Sequence, residues 1–81
     1  MEEKKNNKEA KPNAVSIRFG ELIRQTRLQR KLTQQEVADR LEISQTFFAR
    51  IESGQRTVDL PTAIKLCRFF ELDLNDFMAS F

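Results

Sequence analysis

The sequence predicts an all-α fold: a compact five-helix domain behind a disordered polar tail. Three observations predict it. Apolar residues recur at helical spacing in several short stripes, with no strand-like alternation and no internal repeat. The stripes start beside residues suited to cap a helix: Ser16, Thr33, Ser44 and Asp59. The connections between stripes are short.

Residues 1–14, MEEKKNNKEAKPNA, hold almost nothing apolar and read as a disordered tail, because such a segment cannot offset its ordering entropy. The domain is placed at residues 15–81. Ser16 is the expected cap of a first helix running to about Gln29, with Phe19, Ile23 and Thr26 on one face. Arg24 and Arg30, on its other faces, read as solvated charges. Thr33-Gln34-Gln35-Glu36 is a capping box directly before the stripe Val37, Ala38 and Leu41, so a second helix spans about Gln34–Leu41. Ser44 opens a third helix that reaches about Ser53, with Phe48 and Ile51 inward. Gly54 ends it where a left-handed residue is needed. Asp59 caps a fourth helix with Pro61 in its first turn and the stripe Leu60, Ala63, Ile64, Cys67 and Phe70. A short fifth helix runs from about Asn75 to Ala79.

Composition narrows the function. The 81 residues carry 14 Lys+Arg and 12 Asp+Glu, with no His, Trp or Tyr and one Cys. Without His there is no His-based acid–base catalysis, no Ser-His triad and no His-ligated zinc. One Cys forms no internal disulfide and no Cys-rich metal knot, and Cys67 reads as a small core residue. No cofactor and no metal are expected, and no constellation supports an enzyme. A small chain without disulfides is expected inside a cell, in the cytoplasm, and no apolar run is long enough for a membrane span. Charge is uneven: residues 15–58 have eight basic and five acidic groups, whereas residues 59–81 have two and four. A basic middle and an acidic end fit a nucleic-acid face beside one that avoids nucleic acid, although the bias is small.

Two short helices joined by so tight a turn, about residues 34–53, are the sequence form of a helix-turn-helix. Here the chain resembles the lambda-repressor/Cro-like helix-turn-helix family, also called the xenobiotic-response-element family. The resemblance is carried by Phe19-Gly20-Glu21-Leu22-Ile23-Arg24, Leu32 through Ala38, Ile43-Ser44-Gln45, Arg50-Ile51-Glu52-Ser53-Gly54 and Leu74 through Phe77. It implies a lambda-repressor-like domain that binds double-stranded DNA, with Ser44–Ser53 as the recognition helix in the major groove. Gln45, Thr46, Phe47 and Arg50 would contact bases: Gln bidentately to adenine, Arg to guanine or a phosphate, and Phe47 to a thymine methyl. Gln34 would contact a phosphate and brace Gln45, and Gln55, Arg56 and Thr57 would grip phosphates from the following loop. Arg27 and Glu52 would pair to hold the recognition helix on helix one. Plainer readings stand beside these: Gln34 as a polar first-turn residue, and Phe47 packed within the domain or at a protein interface. The family commonly has Gly where this chain has Lys31, Glu42 and Glu71, all just after helix ends.

One such domain buries little DNA surface, and the resemblance implies a homodimer on a palindromic operator. Leu74, Phe77, Met78 and Phe81 are the expected dimer face, with Leu22 and Leu28 as a competing patch. Alternatively Leu74 and Phe77 close the core and only Phe81 is spare. No residues are left over for an effector domain, so regulation is expected through concentration and dimerisation, as in small phage repressors or restriction–modification controllers. The chain is thus read as a bacterial or phage-encoded repressor or controller. A second reading is a protein-binding module of the same fold, an adaptor or an antitoxin whose partner is a toxin.

Overall fold

The computed structural model describes residues 13–80; most of the polar tail, and Phe81, lie outside the described residues. Five helices follow in order: α1, Ala14–Gln29; α2, Gln34–Leu41; α3, Gln45–Glu52; α4, Leu60–Phe70; α5, Leu74–Ala79. No strand occurs among the described residues.

Each helix starts on a side-chain cap that satisfies an amide left without an intrahelical partner. Thr33 Oγ1 accepts from the Glu36 amide at 3.0 Å while Glu36 Oε1 accepts from the Thr33 amide at 2.8 Å, the expected capping box. Ser44 Oγ accepts from Phe47 N at 3.0 Å, and Asp59 Oδ2 from Thr62 N at 3.4 Å. Asp73 Oδ1 accepts from Asn75 N at 2.9 Å. At α1 the cap differs from the expected one. Asn13 Oδ1, not Ser16, fills the role, accepting from Ser16 N at 2.8 Å. The helix therefore begins at Ala14, inside the segment read as tail, and Ser16 is buried in its first turn.

Four of the connections close the same way. Lys31, Glu42 and Glu71 are left-handed, with φ of 59°, 59° and 58°, and Gly54 has φ 75°. The next residue's amide then returns to a carbonyl five residues back: Leu32 to Arg27, Ile43 to Ala38, Gln55 to Arg50 and Leu72 to Cys67, at 2.7–3.1 Å. Leu32, Ile43 and Leu72 turn inward after their left-handed residues and pack against the core. That hydrophobic latch accompanies such helix ends and holds the strained residue in place.

The core comprises Phe19, Ile23, Val37, Ala38, Leu41, Phe48, Ile51, Leu66, Cys67 and Phe70. The stripe expected for α4 is rotated. Leu60 and Ile64 are exposed, at 64% and 42%, while Leu66 is fully buried. Cys67 is a core residue, its thiol pushed up by burial and then by the charge of Asp73. The α1 helix packs on α3 and α4, and α2 on α3, so α3 is held from two sides.

Candidate nucleic-acid interface

The α2–turn–α3 unit presents one face of α3 to solvent. Phe48 and Ile51 are fully buried, and Gln45, Thr46 and Arg50 are exposed on the opposite side. This division follows from a three-to-four-residue apolar spacing on a two-turn helix.

A chain of polar contacts runs from α1 to the start of that face. Arg27 on α1 donates to Glu52 on α3 from Nε, at 2.6 Å to Oε2, and from Nη2, at 3.0 Å to Oε1. The pair is buried, with side-chain exposures of 10% and 2%. Arg27 Nη1 also donates to the Leu32 carbonyl at 2.9 Å. Gln34, at the start of α2, donates from Nε2 to Glu52 Oε1 at 2.9 Å. Gln45 Nε2 in turn donates to Gln34 Oε1 at 2.8 Å. Buried charge is thereby joined to an exposed amide at the tip of α3 through three side-chain links.

Gly20 lets α1 approach. A methyl group there would lie 2.8 Å from the Glu52 carbonyl oxygen and closer still to that of Ile51. Gly54 meets the same helix from the loop, where a Cβ would lie 2.9 Å from Ile17 Cγ1. Both glycines seat the C-terminal end of α3 directly on α1.

Beyond Gly54 the chain passes Gln55 and Arg56, both exposed, and Thr57, half-buried. Phe47 is half-buried and packs against the core. The Arg56 guanidinium lies 5.0 Å from its ring centroid, a cation–π distance. Phe47 and Arg56 thus form one surface, an arrangement the sequence reading treated as two separate residues.

Two side chains have partners that the sequence did not indicate. Arg30, read as a solvated charge, donates from Nη2 to the Phe70 carbonyl at 2.7 Å and closes the C-terminus of α4. Lys65 reaches the Leu41 carbonyl at 3.3 Å and does the same for α2. Cationic groups favour that end of a helix, but which helix end each side chain meets depends on packing between distant segments.

Of the residues read as a dimer face, Leu74 and Phe77 are half-buried and pack against the core. Phe77 stacks edge-to-face on Phe19, with ring centroids 5.5 Å apart. Met78 is 55% exposed. These residues join Val15, Val58, Leu60 and Ala63 around one apolar groove between α1, α4 and α5. Phe81 lies outside the described residues. Leu22 lines a separate cleft between α1 and α5, whereas Leu28 is exposed. Among the described residues, no group of three or more His, Cys, Asp or Glu could hold a metal ion, and no helix is long and apolar enough to cross a membrane.

The chain is similar to known proteins in sequence and in fold. A helix-turn-helix domain family matches residues 20–80. An uncharacterized HTH-type transcriptional regulator, YqaE of Bacillus subtilis (strain 168), is 35% identical over 57 residues, which cover 70% of this chain and 49% of that protein. The match thus spans about half the length of that curated relative. Among solved structures, the restriction-modification controller protein C.AhdI from Aeromonas hydrophila superposes with a TM-score of 0.71 at 25% identity, over 80% of this chain and 98% of that one.

Proposed function

Because the chain belongs to the helix-turn-helix domain family, we propose that it is a sequence-specific double-stranded DNA-binding transcriptional regulator, a repressor or controller that uses α3 as its major-groove reading helix. The observation that carries this reading is the polar chain ending at Gln45. A surface glutamine on a two-turn helix ordinarily has no need of a buried ion pair behind it. Here Arg27 and Glu52 hold Gln34, and Gln34 holds Gln45 at the exposed tip of α3. Positioning of this kind suits a side chain that must meet a base edge in one geometry. Thr46 and Arg50 share the exposed face and supply the other base contacts. Gln34, Gln55, Arg56 and Thr57 flank it as the phosphate contacts.

The regulator acts as a homodimer on a palindromic site. The apolar groove is its contact surface, with Met78 and Leu60 at the rim and Leu74 and Phe77 at the floor. The resemblance of the whole domain to a restriction-modification controller supports a role of that type. The protein-binding alternative loses its main support, since Phe47 is half-buried and covered by Arg56.

The test is selection from a random duplex pool at near-physiological salt, repeated at higher salt. A recovered palindrome, bound less tightly as salt rises, is the expected result. No enrichment above background overturns the reading in favour of a protein partner such as a toxin.

A further inference from the structure

We propose that Glu52, without touching DNA, sets which base Gln45 reads by fixing the polarity of two amides in series. This rests on the reading of Gln45 as a base contact. A carboxylate only accepts hydrogen bonds. Gln34 therefore has to turn its NH₂ group toward Glu52 Oε1, as it does at 2.9 Å. Its own Oε1 is then committed to the other side, facing Gln45. Gln45 answers with Nε2 at 2.8 Å. One N–H of Gln45 is thus used, which leaves the second N–H and the Oε1 carbonyl for a ligand.

That remainder is one donor and one acceptor in a fixed order. Adenine offers the complementary pair in the major groove, an N7 acceptor and an N6 donor. Guanine offers N7 and O6, both acceptors. Against guanine the Gln45 carbonyl would face a lone pair. A freely rotating Gln45 could turn its NH₂ outward and lessen that clash, and the relay prevents this turn. Arg27 completes the device. Its two bonds to Glu52 fix the carboxylate in one orientation, with Oε1 turned toward Gln34 at the head of the relay. Glu52 and Gln34 are accordingly positioning residues, and adenine-over-guanine preference is the property they control.

The experiment uses the full 81-residue chain and the selected duplex. Gln45→Ala first identifies the base pair that Gln45 reads. Four duplexes differing only at that pair are then titrated by fluorescence anisotropy against wild type, Gln34→Met and Gln34→Lys. Gln34→Met cuts the relay and leaves the Arg27–Glu52 pair in place. Gln34→Lys keeps a donor for Glu52 and a cation for phosphate, but has no acceptor for Gln45. Both variants should lose about tenfold of the adenine-over-guanine preference, in the range of one bidentate contact. Preferences at the other positions and the melting temperature should stay near wild type. A uniform loss over all four duplexes for Gln34→Met, with the adenine-over-guanine preference intact, overturns the inference and makes Gln34 a phosphate contact only. If Gln45→Ala changes no base preference, the reading of Gln45 itself fails, and the relay fails with it.

Discussion

Glu52 accepts two nitrogens of Arg27 at once, at 2.6 and 3.0 Å, while only 2% of its side chain is exposed. Such a pair is hard to break from one side, because the partner is left as a buried charge. That costs about 3–5 kcal/mol, a large part of a small domain's stability. Glu52→Ala is therefore expected to lower the melting temperature sharply and to weaken DNA binding, since Gln34 loses its anchor as well. The Arg27→Met/Glu52→Leu double variant, which leaves no orphaned charge, should melt above either single variant. Thermal melts followed by circular dichroism check both statements. A Glu52→Ala protein with wild-type melting and affinity would falsify the assignment.

Gly20 offers a test in which two effects have opposite signs. On helix propensity alone, Gly20→Ala would stabilise α1 by about 1 kcal/mol. The new methyl group, however, would sit 2.8 Å from the Glu52 carbonyl oxygen and nearer that of Ile51. Backbone atoms in α3 cannot swing aside as a flexible side chain can, so overpacking at a cost of roughly 1–3 kcal/mol should win. The expected result is a lower melting temperature together with weaker DNA binding, because α3 is pushed off its seat. A raised melting temperature would show that the contact is soft.

Local signals were readable from the residues alone, and non-local ones were not. The Thr33–Glu36 capping box is written in four consecutive residues, and its geometry follows from them. The α1 cap was harder. Asn13 and Ser16 are both good caps three residues apart, and only the burial of Ser16 against the fold separates them. On α4, Leu60, Ile64, Leu66 and Phe69 make the helix apolar on more than one side. Periodicity then cannot say which stripe faces inward, and the structure selects Leu66. At the candidate interface, helical spacing gives Gln45, Thr46 and Arg50 as outward; it puts Phe47 with them, but the fold half-buries that ring against the core, beside Arg56. The links Gln34–Glu52, Arg30–Phe70 and Arg56–Phe47 join segments that only tertiary packing brings together.

Lys31, Glu42 and Glu71 occupy left-handed backbone at φ near 59°. A side chain with a Cβ costs about 1–2 kcal/mol there relative to glycine, and glycine's extra freedom when unfolded returns part of that. Each of Lys31→Gly, Glu42→Gly and Glu71→Gly should therefore stabilise the domain by roughly 0.5–1 kcal/mol, a rise of several degrees in melting temperature at this size. Glu71→Gly should gain least, because Arg30 lies 3.7 Å from that carboxylate. Calorimetry on the three variants checks the order, and a fall in all three melting temperatures would contradict it.

The acid limb of stability should report the helix caps. The Glu36 carboxyl is held below its ordinary value of 4.5, first by the Thr33 amide, then by the Thr33 hydroxyl, with the Arg40 charge adding less. Asp59 is held below 3.8 first by the Thr62 hydroxyl and then, more weakly, by the Thr62 amide. A carboxyl with a folded pKa below its unfolded one stabilises the fold above the unfolded value. That contribution disappears as pH falls through the folded value. The window therefore opens near pH 4.5 for Glu36 and closes below it. Glu36→Ala removes the contribution outright, so its melting temperature should lie furthest below wild type near neutral pH. The gap should narrow steadily once the pH passes below the ordinary carboxylate range. The alanine cannot reach back to the Thr33 amide, so some deficit persists in acid, where a protonated Glu36 can still accept through its carbonyl oxygen. Melts at stepped pH, run in parallel on both proteins, follow the gap directly. A gap of constant size through the whole titration would mean that the capping box stabilises α2 without regard to the charge of Glu36.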